Sequence, residues 1–183
     1  MTDANSPQRL YDILAEREIS RIAVVGCCGS GKSTLAKELA NALDYPLFHI
    51  DQMFWLPGWI QRPADEFRAR HNAAIENDRW VMDGNNTGTM PARFARADMI
   101  IFFDYPLWLC LFRIFKRIVT HHGKTRPDMA DGCPERFDFD FLKYVCNFGK
   151  QSRPKIIKAM ENVAPDALCM TFTHPRAAED FFN

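Results

Sequence analysis

Ile22-Ala23-Val24-Val25, four apolar residues in a row, run directly into Gly26-Cys27-Cys28-Gly29-Ser30-Gly31-Lys32-Ser33-Thr34 and then into a helical pattern. An uninterrupted apolar run ending in glycine is the mark of a strand buried on both faces. The nine residues from Gly26 fit G-x-x-x-x-G-K-[ST], placed where a phosphate cradle must lie, after such a strand and at the start of a helix. Gly26, Gly29 and Gly31 let the backbone turn with its N–H groups facing inward, and Ser30 and Thr34 complete the loop and the helix start. Lys32 is expected to be accessible and to reach the outer phosphates, and the Ser33 hydroxyl to ligate Mg²⁺ at a helix end that already favours anions. A nucleoside triphosphate with magnesium is the implied ligand. No Asn-Lys-x-Asp for guanine selection occurs in the chain, so ATP is expected.

Four further segments resemble that strand, at 46–50, 80–82, 99–103 and 167–172. Helical patterns separate them at 32–43, 63–77, 107–121 and 138–162, the last with a break near Gly149 to Pro154. A short amphipathic helix is expected from Ser6-Pro7 to Glu18. Alternation of this kind predicts a parallel sheet covered on both faces. A length of 183 residues suits one such domain, with 47% apolar residues enough for its core. The Gly/Pro-bearing stretch from Gly123 to Pro134 is expected to be a long mobile excursion.

Three apolar segments end in aspartate, at Asp51, Asp83 and Asp104. Ligands of open parallel sheets bind at the carboxyl ends of strands, so each is a candidate to hold magnesium or to orient the acceptor. The residues alone leave open how Asp83 and Asp51 divide these roles, while Asp104, next to Tyr105-Pro106, reads first as a plain helix cap. Asp51 leads into an aromatic segment with Trp55 and Trp59, which either packs in the core or walls an acceptor pocket. From Tyr105 through Pro127 there is no acidic residue, while Arg113, Lys116, Arg117, Lys124 and Arg126 accumulate. Arg113 and Arg117 share a helix face, and the group is read as a clamp on transferring phosphates. Its competitor is a small DNA-binding patch.

Lys+Arg and Asp+Glu balance at 23 each, which leaves no overall excess of positive charge to draw the chain onto nucleic acid or anionic membranes. The polar start, the lack of a spanning segment and six cysteines without a C-x-x-C pair predict a cytoplasmic protein with reduced thiols.

The cradle, His49-Ile50-Asp51 with Phe54-Trp55 and Pro57-Gly58-Trp59, Trp80-Val81-Met82-Asp83-Gly84-Asn85, and Gly123-Lys124-Thr125-Arg126-Pro127 with Gly132-Cys133-Pro134-Glu135 resemble the DNA topology modulation (FlaR) family. That family is similar to adenylate kinase, and the likeness covers about residues 20 to 160. It implies an α/β P-loop NTPase fold: a five-stranded parallel sheet with helices on both faces and a lid at about 113–137, in a single domain whose acceptor side is about 51–77. It also implies that Asp83 lies beside the magnesium with Ser33, that Asp51 at the end of the next strand faces the acceptor, and that Arg113, Arg117 and Arg126 belong to the lid. Arg153 would aim at the phosphates, and His174 and Arg176 would border the adenine. Asn85-Asn86-Thr87 stand where that resemblance expects an aromatic-proline-arginine, so an arginine for an acceptor phosphate must come from Arg93. The expected activity is magnesium-dependent transfer from ATP to a small acceptor, with a nucleoside monophosphate as the leading class. The alternative is a nucleotide-gated DNA-binding or regulatory protein with little or no transferase activity.

Overall fold

The computed structural model describes residues 13, 14, 16–164 and 166–182, so most of the helix expected from Ser6 lies outside the described residues. Strand β1 (Arg21–Gly26) is the centre of the molecule, with Ile22 to Val25 wholly out of contact with solvent. A run apolar on every residue can only be satisfied between two covered faces. On one side β1 pairs in parallel with β5 (Trp80–Asp83), which pairs with β2 (Leu47–His49). On the other it pairs with β6 (Met99–Phe103), which pairs with β7 (Leu168–Phe172). The order is thus β2-β5-β1-β6-β7, all parallel. The five strands of the sequence reading are all present.

The helices fall where the patterns put them. Helix α1 (Lys32–Leu43) buries Leu35, Ala36, Leu39 and Ala40, one stripe at helical spacing, against β1 and β5. Helix α3 spans Ala64–Ile75 and α5 spans Leu107–His121. The predicted break separates α6 (Phe139–Gln151) from α7 (Arg153–Val163), with Pro154 in the first turn of α7. A proline there has no N–H to continue the preceding helix and is tolerated only in an opening turn.

Three short features and a closing helix escape the sequence reading. Ile50–Phe54 forms α2 and Met90–Phe94 forms α4, single turns too short to show a period. Trp55–Leu56 and Ile60–Gln61 form an antiparallel hairpin, β3 and β4, turned through Gly58 and Trp59, both at positive φ. Pro175–Phe182 forms α8. No helix among the described residues is long and apolar enough to cross a membrane.

The stretch from Gly123 to Pro134 does not stand away from the body. Gly58 N donates to Gly132 O at 2.8 Å, Trp59 Nε1 to Pro134 O at 3.1 Å, Gln52 Nε2 to Pro127 O at 2.6 Å and Cys133 Sγ to Leu56 O at 3.2 Å. Three of these hydrogen bonds tie the lid to the hairpin and the one from Gln52 ties it to α2, closing one end of a cleft.

Candidate phosphoryl-transfer site

The carboxyl ends of β1, β5 and β2 open onto a cleft of about 1300 Å³. Its floor is the loop after β1. Gly29 and Gly31 take φ of +79° and +99°, and a Cβ on Gly29 would come within 2.5 Å of the Cys110 carbonyl oxygen, so only glycine allows the loop to run under α5. Gly26 is held from the side: Asn85 Oδ1 accepts from Gly26 N at 3.1 Å and Asn85 Nδ2 donates to Gly26 O at 2.8 Å. Buried Asn85 therefore continues the β1–β5 ladder with a side chain where the strands part. Sequence reading quoted Asn85 as a departure from a motif and missed this role, which only the register of the two strands reveals.

Lys32 is 8% exposed, contrary to the accessible residue expected, because its Nζ folds back to donate to Cys27 O at 3.2 Å. Burial opposes its charge, but Cys28, Asp83 and Asp51 outweigh that and raise its pKa, so it stays a cation. Ser30 is buried with a hydroxyl that has no hydrogen-bond partner. A glycine loop at the start of a helix, with an ammonium lining the cleft and a buried hydroxyl left unpartnered, has donors suited to a polyphosphate.

Two aspartates line the cleft beside this floor, close enough for the charge of one to act on the other. Asp83 ends β5, and its Oδ2 lies 3.2 Å from His49 Nδ1, both side chains being nearly enclosed. Burial pushes the Asp83 carboxyl up, while His49, Lys32 and the Ser33 hydroxyl together hold it below the usual range. The His49 imidazole is raised in turn: burial lowers it, and its bond to Asp83 more than compensates. Ser33 and Asp83 are adjacent oxygen donors and could hold Mg²⁺ together with phosphate oxygens and water, as that ion prefers. Asp51 sits in the first turn of α2, not on a strand end as expected. Burial, and then the charge of Asp83, raise its pKa against the pull of Lys32 and Arg126. His49 was not assigned a role from sequence; its signal is a histidine paired in parallel register with an aspartate, His49 opposite Asp83.

The lid supplies the roof. Arg113 Nη1 donates to Ser30 O at 3.0 Å. Buried Glu135 gathers the other two arginines: Arg117 Nη2 lies 3.1 Å from Oε1 and Arg126 Nε 2.9 Å from Oε2, while Arg126 Nη1 donates to Asp128 at 2.7 Å. All three guanidinium groups line the cleft, as do Lys32, Ser33, Thr34, Asp51, Trp55 and Asp83. Trp55 and Trp59 meet edge to face at 5.5 Å, with Arg136 over the Trp59 ring.

Three expected arginines and one histidine lie outside this cleft. Arg93 is fully buried and donates from Nη2 to the carbonyls of Gly84, at 2.6 Å, and Asn85, so it braces the β5 exit and does not reach an acceptor phosphate. Arg153 is bidentate on Asp104, at 2.9 and 2.8 Å, at the edge of a separate groove between α7 and β7. A guanidinium takes the nearest carboxylate of matching geometry, and Asp104 supplies it. His174 and Arg176 are exposed at the start of α8, where His174 Nδ1 accepts from Arg176 N at 3.2 Å as a local cap.

Among solved structures, the chain is similar to a shikimate kinase from Acinetobacter baumannii in complex with shikimate, at 18% identity and TM-score 0.58 over 91% of this chain and 90% of that one. It is also similar to a gluconokinase from Sinorhizobium meliloti 1021, at 16% identity and TM-score 0.50 over 87% and 86%. The chain has the P-loop NTPase fold that those two proteins share, a five-stranded parallel sheet with flanking helices. No family model and no curated protein matches the sequence. Asp51 in α2, Trp55 and Trp59 in the hairpin and Arg136 all line the same end of the chain's cleft as the lid.

Proposed function

We propose that the chain is a magnesium-dependent ATP phosphotransferase acting on a hydroxyl group of a small acceptor. The observation that carries this is a pair of cleft aspartates whose surroundings shift them in opposite directions. Asp83 is kept ionised by His49, Lys32 and Ser33 beside the phosphate loop, while burial and Asp83 raise Asp51 at the acceptor end. Two carboxyl groups pushed apart by their surroundings suit two tasks, an ion holder and a proton acceptor. ATP bound with Mg²⁺ would supply an activated terminal phosphoryl group with part of its charge neutralised. Lys32, Arg113, Arg117 and Arg126 would hold the charge spread over the equatorial oxygens, and Asp51 would take the acceptor proton.

A nucleoside monophosphate, the acceptor class that the resemblance favours, brings an oxygen already ionised and needs a cation rather than a base. Its candidate cation, Arg93, is committed to two backbone carbonyls. The fold is shared with proteins named for shikimate and gluconate, which adds weight to a small non-nucleotide acceptor. A DNA role draws no support from the basic segment, because Arg113 and Arg117 turn into the cleft.

ADP release should be stimulated by a hydroxy acid or polyol from a panel that also contains nucleoside monophosphates. With that acceptor, Asp51→Asn should cut turnover about ten- to a hundredfold, the worth of one charge-assisted hydrogen bond, and leave MgATP affinity within about twofold. Asp83→Asn should weaken the magnesium dependence with any acceptor. Stimulation by monophosphates alone, insensitive to Asp51→Asn, would overturn the reading.

A further inference from the structure

Helix α5 presents three faces. Cys110, Ile114 and Ile118 point into the core, and Arg113 and Arg117 point into the cleft. The third face carries Trp108, Phe112, Phe115 and Val119, of which Trp108 is 70%, Phe112 62% and Val119 81% exposed. Against Phe115 lies Phe137, with ring centroids 6.5 Å apart, and Phe139 stands edge-on to Phe137 at 4.9 Å. Single exposed apolar residues are ordinary, but a contiguous aromatic surface of this extent is a binding surface.

The four helix residues recur at spacings of four, three and four, the a/d rhythm of a helix that pairs along a narrow seam. Their order is also symmetric about the bond between Arg113 and Ile114, with Trp108 and Val119 equally far from it and Phe112 and Phe115 likewise. A copy of α5 laid antiparallel would therefore place Trp108 on Val119 and Phe112 on Phe115, twice over, around one twofold axis. That is the self-complementarity an isologous interface demands. The exposed shares of the four side chains with Phe137 and Phe139 come to on the order of 750 Å² per copy, against about 800 Å² per partner in a standard interface. Lys116 is the only charged side chain on the outward side of the helix between Leu107 and Val119, as befits the apolar core of a permanent dimer.

We infer that the protein is a homodimer joined through antiparallel α5 helices, with Trp108 against the other copy's Val119 and Phe112 against its Phe115. The same helix then carries the interface on one face and two cleft arginines on another.

Sedimentation of the full chain at micromolar concentration should give a dimer, and Phe112→Glu should weaken it by at least about a hundredfold while leaving the far-ultraviolet dichroism unchanged. Trp108→Lys and Val119→Glu should each weaken it as well. The double variant should be tighter than either single by about fivefold, since each copy's lysine then meets the other's glutamate. Within one helix the two positions are 11 residues, roughly 16 Å, apart and too far to pair. A monomeric parent would overturn the proposal, as would a dimer indifferent to Phe112→Glu or a double variant weaker than both singles. Binding of a monomer to phosphatidylglycerol vesicles through Phe112 would overturn it in favour of a membrane surface.

Discussion

Asp51 has two consequences that run in opposite directions. Its folded pKa is raised, by burial first and Asp83 second, so the charged form is disfavoured by folding. Stability contributed by the protonated form is complete below the unfolded pKa near 3.8 and is lost as pH rises through the folded value. Asp51→Asn should therefore raise the melting temperature at neutral pH, measured by calorimetry. The proposed base must be ionised, so acceptor-dependent turnover should fall with decreasing pH at a higher pH than an ordinary carboxylate would give. That acid limb should vanish in Asp51→Asn, and a pH–rate profile of parent and variant checks it. An unchanged limb would assign it to another group.

The lid is held by a carboxylate that the sequence does not advertise. Glu135 lies directly after Pro134, eight residues past the end of the basic segment, and folding brings it against Arg117 and Arg126, its Oε2 close enough to Arg126 Nε for an ion pair but not aligned as a hydrogen bond. Both arginines are thus paired with a protein anion in the lining of the cleft. Removing one partner of a mostly buried pair leaves charge uncompensated. Glu135→Gln should cost about 2 kcal/mol of stability by denaturant titration, and MgATP should restore part of it by offering the arginines another anion. A variant as stable as the parent would make Glu135 incidental to the lid. At the opposite end of the cleft the strand exit is equally constrained. Gly84 has φ +120° and a Cβ there would lie 2.6 Å from that of Ile50, so α2 can pack over β5 only because residue 84 has no side chain.

Across the whole sheet, the amino ends of β1 and β6 are stapled by one residue. Asp98 accepts from Ser20 N at 3.0 Å, Arg21 N at 2.8 Å and Arg21 Nη2 at 2.6 Å. Burial pushes its carboxyl up, and these donors outweigh burial to leave it below the usual range. A depressed folded pKa means stability that is present above the unfolded pKa and lost as pH falls through the folded one. Asp98→Ala should cost about 2 kcal/mol at pH 7 and almost nothing at strongly acid pH, read from paired melting curves. How far the chain could be read before folding follows from the range of the forces involved. The strands, the phosphate loop and the break at Pro154 depend on neighbours a few residues away, so their patterns are complete in the sequence. The short turns α2 and α4 were invisible because five residues hold barely more than one period. Partner choice was invisible for another reason: Arg153 reached Asp104, 49 residues away, and Arg93 the carbonyls after β5, although both were expected at phosphates. A long cation can satisfy itself on any anion or carbonyl within reach, and which one is within reach is a property of strand order and helix placement. The P-loop pattern was legible in local spacing, whereas the burial of Asp51 beside the charge of Asp83, on which the proposed division of labour rests, is a product of packing between distant segments.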